Sequence, residues 1–233
     1  MTMDGSIEFE WWGIDIELLP GCAVRHSATG TLLVADVHLG KPASFRAGGI
    51  PVPEAVTRAD LDRLGTLLAA TGSERMIVLG DLAHDMAALG ETTLRTIHDW
   101  RREWPGVSMQ LVPGNHDRRL DDIGALGFEL LDRRSHLGGL DLVHATSPDE
   151  KTPTLGGHVH PRVLLAARRG DRMQVPCFWF SGRSGILPAF GSFTGGHLLR
   201  RKEEDIVFAA GTHDVVRLGP GGVGEAGQAR SHR

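Results

Sequence analysis

Cysteine is scarce: Cys22 and Cys177 are the only two in 233 residues. That excludes a disulfide-stapled scaffold of the small secreted kind. Two thiols so far apart also make a poor structural zinc site, so both read as reduced, buried thiols. No apolar run approaches the ~20 residues that a membrane-spanning helix needs. The opening stretch, MTMDGSIEFEWW, is acidic and polar, so no signal or transit peptide is expected and a cytoplasmic location is. An excess of positive charge is missing too: 25 Lys and Arg against 29 Asp and Glu leave a net charge of −4. This argues against a bulk nucleic-acid coat protein and still allows a local basic groove. Hydrophobic residues at 41% and charged residues at 23% are ordinary globular usage, which excludes a wholly disordered chain. A chain of this size buries ~70–75% of its unfolded surface, enough for a sizeable core.

The pattern along the chain predicts an α/β fold. Residues 1–30 read as irregular structure or an edge hairpin, with Trp11 and Trp12 facing opposite ways if on a strand. Three short apolar runs, 31–35 (TLLVA), 76–79 (MIVL) and 108–112 (SMQLV), read as buried strands. Between them, residues 54–70 carry apolar positions at helical spacing with Gly72 as a stop, and 91–103 form a second helix closed by Pro105–Gly106. A weak helix near 119–126 and a short strand near 128–131 follow. Strand, helix, strand, helix, strand is the pattern of a parallel sheet with crossover helices. From residue 140 on, the runs 140–143, 163–167, 173–180, 206–210 and 215–218 are strand-like with few helices between, which predicts a second, more antiparallel sheet. The expectation is one domain over residues 1–218, two stacked sheets with helices outside. The Gly-rich residues 219–233 read as a disordered tail.

Histidine is the abundant chemistry-bearing residue, with 12 copies. Each of the three first-half strands ends in groups able to bind metal: Asp36-Val37-His38, Gly80-Asp81, and Gly114-Asn115-His116-Asp117. Ligands of α/β sheets sit beyond the carboxyl ends of the strands. Gly40 and Gly114 permit the turns needed there. The second half adds His144, and Gly156-Gly157-His158-Val159-His160, where alternation predicts His158 and His160 on one face of a strand. Asp36, His38, Asp81, Asn115, His144, His158 and His160 form a nitrogen and hard-oxygen set without thiolate. That suits manganese, iron or zinc. The set is too large for one ion and fits two ions sharing a carboxylate.

The order DxH, GDxx(D/H), GNH(D/E), H, GHxH over residues 36–160 resembles the calcineurin-like metallophosphoesterase superfamily. The resemblance implies a four-layer α-β-β-α sandwich of two mixed sheets and a two-metal site. It implies Asp36, His38 and His160 on one metal, Asn115, His144 and His158 on the other, and Asp81 bridging. His116 corresponds to the histidine that contacts phosphate and protonates the leaving oxygen. Many phosphatases of the superfamily have aspartate where this chain has His84; the GDxxH form resembles the double-strand-break repair nucleases and implies that His84 positions a phosphodiester. Asp117 or Asp85 is then the carboxylate left to pair with His116.

A narrower resemblance rests on DVHLGK (36–41), GGHVHP (156–161), VPCF (175–178) and LPAFGSFTGG (187–196). These look like the bacterial ligase-associated DNA damage response endonucleases of the PdeM family, over about residues 15–215. This implies a metal-dependent phosphodiesterase or endonuclease associated with an ATP-dependent DNA ligase and a helicase-like partner; with no long apolar run, no membrane association is expected. The residues themselves support DNA modestly. Arginines come in pairs at 101–102, 118–119, 133–134, 168–169 and 200–201. Arg118, following the GNHD motif, is the candidate phosphate contact, with Arg46 and Arg183 behind it.

Two divalent cations clamp a phosphoryl group and make a bridging hydroxide available for in-line attack, and a non-ligating histidine then protonates the leaving alcohol. The sequence therefore predicts a dinuclear phosphodiesterase, with manganese first among the metals and zinc, iron or magnesium as alternatives. Its rivals are a phosphomonoesterase or small-nucleotide phosphodiesterase without a role on DNA, and a non-catalytic scaffold of the same fold. Oligomeric state is not legible in the sequence.

Overall fold

The computed structural model describes residues 3–41, 45, 49, 55–83, 89–117, 121–166 and 172–219. The start of the chain is more ordered than its sequence suggests. Strands β1 (Ile7–Trp11), β2 (Ile14–Leu19) and β3 (Ala23–His26) form an antiparallel meander. Trp12 and Gly13 make the first tight turn with φ of 55° and 75°, the double left-handed geometry of a two-residue hairpin. Asn-Gly or Asp-Gly usually announces such a turn, and a tryptophan there hides it. The two tryptophans part as the turn requires: Trp11 is buried, and Trp12 is 54% exposed.

The meander continues into β4 (Thr31–Val34), antiparallel to β3. From there the chain alternates: α1 (Ala55–Thr71), β5 (Arg75–Leu79), α2 (Glu91–Glu103), β6 (Ser108–Val112), α3 (Asp121–Ala125) and β7 (Glu129–Leu130). Strands β4 to β7 pair in parallel, in sequence order. Leu61, Leu64, Leu67 and Leu68 make the buried stripe of α1, and Gly72, at φ +61°, ends it in the left-handed conformation. Thr93, Ile97 and Trp100 do the same for α2.

The second sheet holds β8 (Arg134–Leu137), β9 (Leu140–Val143), β10 (Thr154–Gly156), β11 (Pro161–Ala166), β12 (Arg172–Ser181), β13 (Ser184–Ile186) and β14 (His197–Leu198). Their order is β14-β11-β12-β13-β10-β9-β8, with β15 (Ile206–Ala210) on β12 and β16 (Val215–Arg217) beyond it. β10 is parallel to β9 and β13, while β12 is antiparallel to β11, β13 and β15. The α/β sandwich of two stacked mixed sheets is thus as expected. Strands β8, β10, β13 and β14 escaped the sequence reading because RSHL, TLG, SGI and HL form no apolar run.

The sheets meet through an aromatic contact layer. Phe9 and Trp11 of the first pack edge-on against Phe180 of the second, at 5.0 and 5.1 Å between ring centres, and Phe9 also meets Phe208 at 5.0 Å. Each large apolar side chain buried here contributes about 1.5–3 kcal/mol. Residues 187–191 strap the sheets together at one end. The Leu187 amide donates to Gly156 O, the Phe190 amide to Ala35 O, and the Gly191 amide to Asp36 O. The LPAFG part of LPAFGSFTGG is therefore a packing element joining the carboxyl ends of β4 and β10.

Cys22 and Cys177 are buried free thiols. Among the described residues no helix is long and apolar enough to cross a membrane. The Gly-rich stretch from 220 on lies outside the described residues.

Candidate metal centre

Beyond the carboxyl ends of β4 and β5 the chain keeps pairing as it turns. The Asp36 amide donates to Gly80 O, the His38 amide to Asp81 O at 2.9 Å, and the Leu39 amide to Leu82 O at 2.8 Å. Asp36, His38 and Asp81 all sit at φ near +50°, and His158 and His160 at +69° and +50°. Left-handed backbone costs about 1–2 kcal/mol per non-glycine residue. Strain gathered at five chemistry-bearing positions marks a site held by its surroundings.

Glycines stand wherever backbone must touch a site side chain. A Cβ on Gly80 would lie 2.0 Å from His144 Nδ1, on Gly114 2.3 Å from Asp81 Oδ1, and on Gly157 2.2 Å from Asp36 Oδ2. Gly114 was expected to serve a turn, but its role is this close approach. The strand expectation for His158 and His160 also fails. β10 ends at Gly156, β11 begins at Pro161, and the intervening turn sends the two rings to different places.

Two clusters result. Asp36, His38 and His160 bring one ligand atom each to within 4.8 Å of one another, and so do Asp81, His144 and His158. Asn115 joins the second cluster, its Oδ1 2.9 Å from His144 Nε2. Asp81 lies between the two, Oδ2 being 3.6 Å from His144 Nε2 and 3.9 Å from His38 Nε2. All seven candidate ligands therefore converge.

The polar bookkeeping asks for cations. Asp36 Oδ1 and His160 Nε2 are buried 3.4 Å apart, and neither has a hydrogen-bond partner among the described residues. Such orphaned groups cost about 1–3 kcal/mol each. The His144 ring donates from Nδ1 to Leu79 O at 3.1 Å. His144 Nε2 meets Asn115 Oδ1 at 2.9 Å and His158 Nδ1 at 3.0 Å, so three ligand-type side chains converge on one point. This nitrogen and hard-oxygen donor set fits two divalent ions.

His116 stands apart from both clusters. Its Nε2 is 4.0 Å from Asp81 Oδ2, its ring meets His38 edge-on at 5.4 Å, and its side chain is 38% exposed. Asp117 is buried, with Oδ2 accepting the amides of Asp81 and Gly114 and Oδ1 that of Leu82. It clamps the ends of β5 and β6 together. Burial holds its carboxyl above the usual range, against the pull of the Gly114 amide.

His84, Asp85, Arg46 and Arg118 lie outside the described residues, as do Arg119 and the pair 168–169. Several other arginines are occupied elsewhere. Arg101 donates to Trp104, Val107 and Gly127 carbonyls, Arg134 pairs with Asp141 and Glu150, and Arg201 binds the carbonyls of Asp205, Leu218 and Gly219. Arg183 lies over the Trp12 ring at 4.1 Å and donates to Lys151 O. Lys41 is a charged group that motif reasoning passed over. Burial lowers its pKa against the attraction of Asp36 and Asp81. Its place in the DVHLGK stretch was the available signal.

No family model and no curated protein sequence matches the chain. Among solved structures, the Pseudomonas putida nuclease MPE superposes with a TM-score of 0.78 at 36% identity, over 91% of this chain and 100% of that one. A protein of unknown function, AQ665 from Aquifex aeolicus, reaches 0.40 at 19% identity, over 56% of this chain and 78% of its own. The phosphoesterase YfcE of E. coli reaches 0.41 at 16% identity, over 80% of this chain and 96% of its own. Similarity at the last two levels is too low to inform the chemistry.

Proposed function

We propose, from the premise that this chain belongs to the metallophosphoesterase family that includes the Pseudomonas putida nuclease MPE, that it is a nuclease hydrolysing phosphodiester bonds of DNA at the two-cluster centre. The protein is a metal-dependent phosphoesterase with two adjoining candidate metal sites. The observation that carries the finer reading is the convergence of seven ligand-type side chains with a partly exposed histidine beside them.

We assign Asp36, His38 and His160 to one ion, Asn115, His144 and His158 to the other, and Asp81 to both. Manganese is the first candidate, with zinc, iron or magnesium also accepted by such donors. Two divalent ions held there would neutralise phosphoryl oxygens and acidify a water near neutral pH. His116 is the proton donor to the leaving oxygen, since its ring is held at the mouth and ligates neither ion in this assignment. Asp117 acts through backbone, fixing the amides that place Asp81 and Asn115. Lys41, three residues after His38, adds positive charge near the carboxylates of Asp36 and Asp81. His84 keeps the role that sequence resemblance implies, positioning the diester, and Arg118, directly after the GNHD motif, that of a phosphate contact. A DNA-repair setting in the cytoplasm, beside an ATP-dependent ligase and a helicase-like protein, rests on that same resemblance.

The test is a substrate panel on metal-free protein with manganese added back: aryl phosphodiester, aryl phosphomonoester, single-stranded DNA and nicked duplex, each beside His116→Ala. DNA cleavage that disappears in the variant supports the reading. Turnover of small esters with every DNA left intact overturns it in favour of a small-substrate phosphoesterase.

A further inference from the structure

A cavity of about 540 Å³ lies between helix α1, the turn after β2 and strands β11 and β12, and His160 forms part of its wall. It therefore adjoins the cluster of Asp36 and His38. Its remaining walls are largely apolar. Pro161 and Val175 come from the second sheet, Ala189 and Phe190 from the strap, and Pro20 from the turn between β2 and β3.

Two guanidinium groups line it, and they differ. Arg63 is occupied: it pairs with Asp60 at 3.3 Å, lies 4.1 Å over the Phe190 ring, and donates to Phe190 O. Arg162, on β11, has no carboxylate partner among the described residues. Its stem runs over Gly196, where a Cβ would lie 2.8 Å from Arg162 Cδ. A Cβ there would also lie 2.6 Å from His160 O, so the glycine at the end of LPAFGSFTGG lets this segment approach both the His160 backbone and the arginine stem. Exposed apolar surface gathers here as well. Met173 lines the cavity at 57% exposure. Phe193, between the lining residues Ser192 and Thr194, is 39% exposed, with its ring edge-on to Phe45 at 5.2 Å.

An apolar cavity of this volume is in the range that takes one small organic group. A cation without a partner beside it suits an anion attached to that group. An exposed aromatic ring at the same segment suits a stacked base. Hydrolysis of a simple aryl ester needs none of these. We propose that the cavity is the subsite for the nucleoside adjoining the scissile phosphate, with Arg162 on the next phosphate of the strand and Phe193 stacking on a base. This rests on the nuclease reading above.

The experiment compares bis(p-nitrophenyl) phosphate, thymidine 5′-(p-nitrophenyl) phosphate and a short oligodeoxynucleotide, on wild type, Arg162→Gln and Phe193→Ala. Anisotropy of a fluorescein-labelled oligonucleotide on the metal-free proteins adds a readout independent of turnover, and melting temperatures check the fold. Loss of a charge-assisted contact should raise KM for the oligonucleotide, and weaken its binding, about tenfold more than KM for the aryl diester changes. Arg162→Lys should recover part of that loss. Equal changes on all three substrates, or unaltered oligonucleotide binding in both variants, would overturn the subsite while leaving DNA cleavage by the wild type intact. A wild type that cuts no DNA would instead remove the nuclease reading, and the subsite with it.

Discussion

The His158 amide donates to Asp36 Oδ2 at 2.8 Å, joining two residues 122 positions apart. One carboxylate oxygen is thereby held by the second sheet, and the other, Oδ1, is left facing His160. Asp81 repeats the device: Oδ1 accepts the His116 amide at 2.9 Å while Oδ2 faces the histidines. Each carboxylate is oriented by backbone before any cation arrives, which lowers the reorganisation cost of binding one.

If that orientation matters, Gly157→Ala should be severe. Its Cβ would fall 2.2 Å from Asp36 Oδ2, forcing the carboxylate aside. The expected result is a metal content below that of wild type and a large loss of turnover. Elemental analysis of the purified variant checks it, and full occupancy would show that the carboxylate tolerates displacement.

Asp81→Asn isolates the shared carboxylate. Asparagine accepts the left-handed backbone that Asp81 adopts, so the fold should persist while the negative charge between the clusters is lost. Both ions should bind more weakly, seen as two shifted steps in a manganese titration. Weakening of a single step would confine Asp81 to one ion.

His116→Ala should separate binding from turnover. Metal content should stay at the wild-type level while kcat falls about 10²–10⁴-fold, the usual worth of a positioned acid. A parallel loss of metal would make His116 a ligand instead.

Burial pushes the Cys22 thiol up to about 11, and it raises Cys177 further. Native protein at pH 8 should therefore react with a thiol-specific disulfide reagent slowly at both positions. Denaturant should release two fast-reacting thiols. Rapid labelling of native Cys22 would mean that the cavity wall opens.

Asp141 accepts from Thr152, His136 and Arg134. These bonds, that of Thr152 foremost, hold its carboxyl down to about 2. The native state then binds fewer protons than the unfolded chain below pH ~4, so this stabilisation is full above that pH and fades as pH falls through 2. Asp141→Asn should lower the melting temperature at neutral pH and by progressively less toward pH 2. A deficit independent of pH would assign the loss to packing.

The parallel half of the fold was legible because its strands are short continuous apolar runs and its helices carry apolar residues at helical spacing, as in α1 and α2. The second sheet was legible only in strands that carry an apolar run, such as β9, β12 and β15. The meander at the start was hidden by Trp12 and Cys22, residues whose type gives no hint of the left-handed backbone they adopt.

For the centre, the sequence by itself determined which segments carry ligand chemistry, because each motif is a few consecutive residues at a strand end. A family resemblance implied how they divide, but the physical cause of that division lies in the tertiary structure. His158 and His160, two apart, go to different clusters because the intervening turn is bent by contacts with Asp36 and His144. The cavity beside His160 is likewise invisible along the chain. Its walls come from helix α1, the turn between β2 and β3, the second sheet and the strap, and distant segments meet only when the two sheets bury their shared apolar faces.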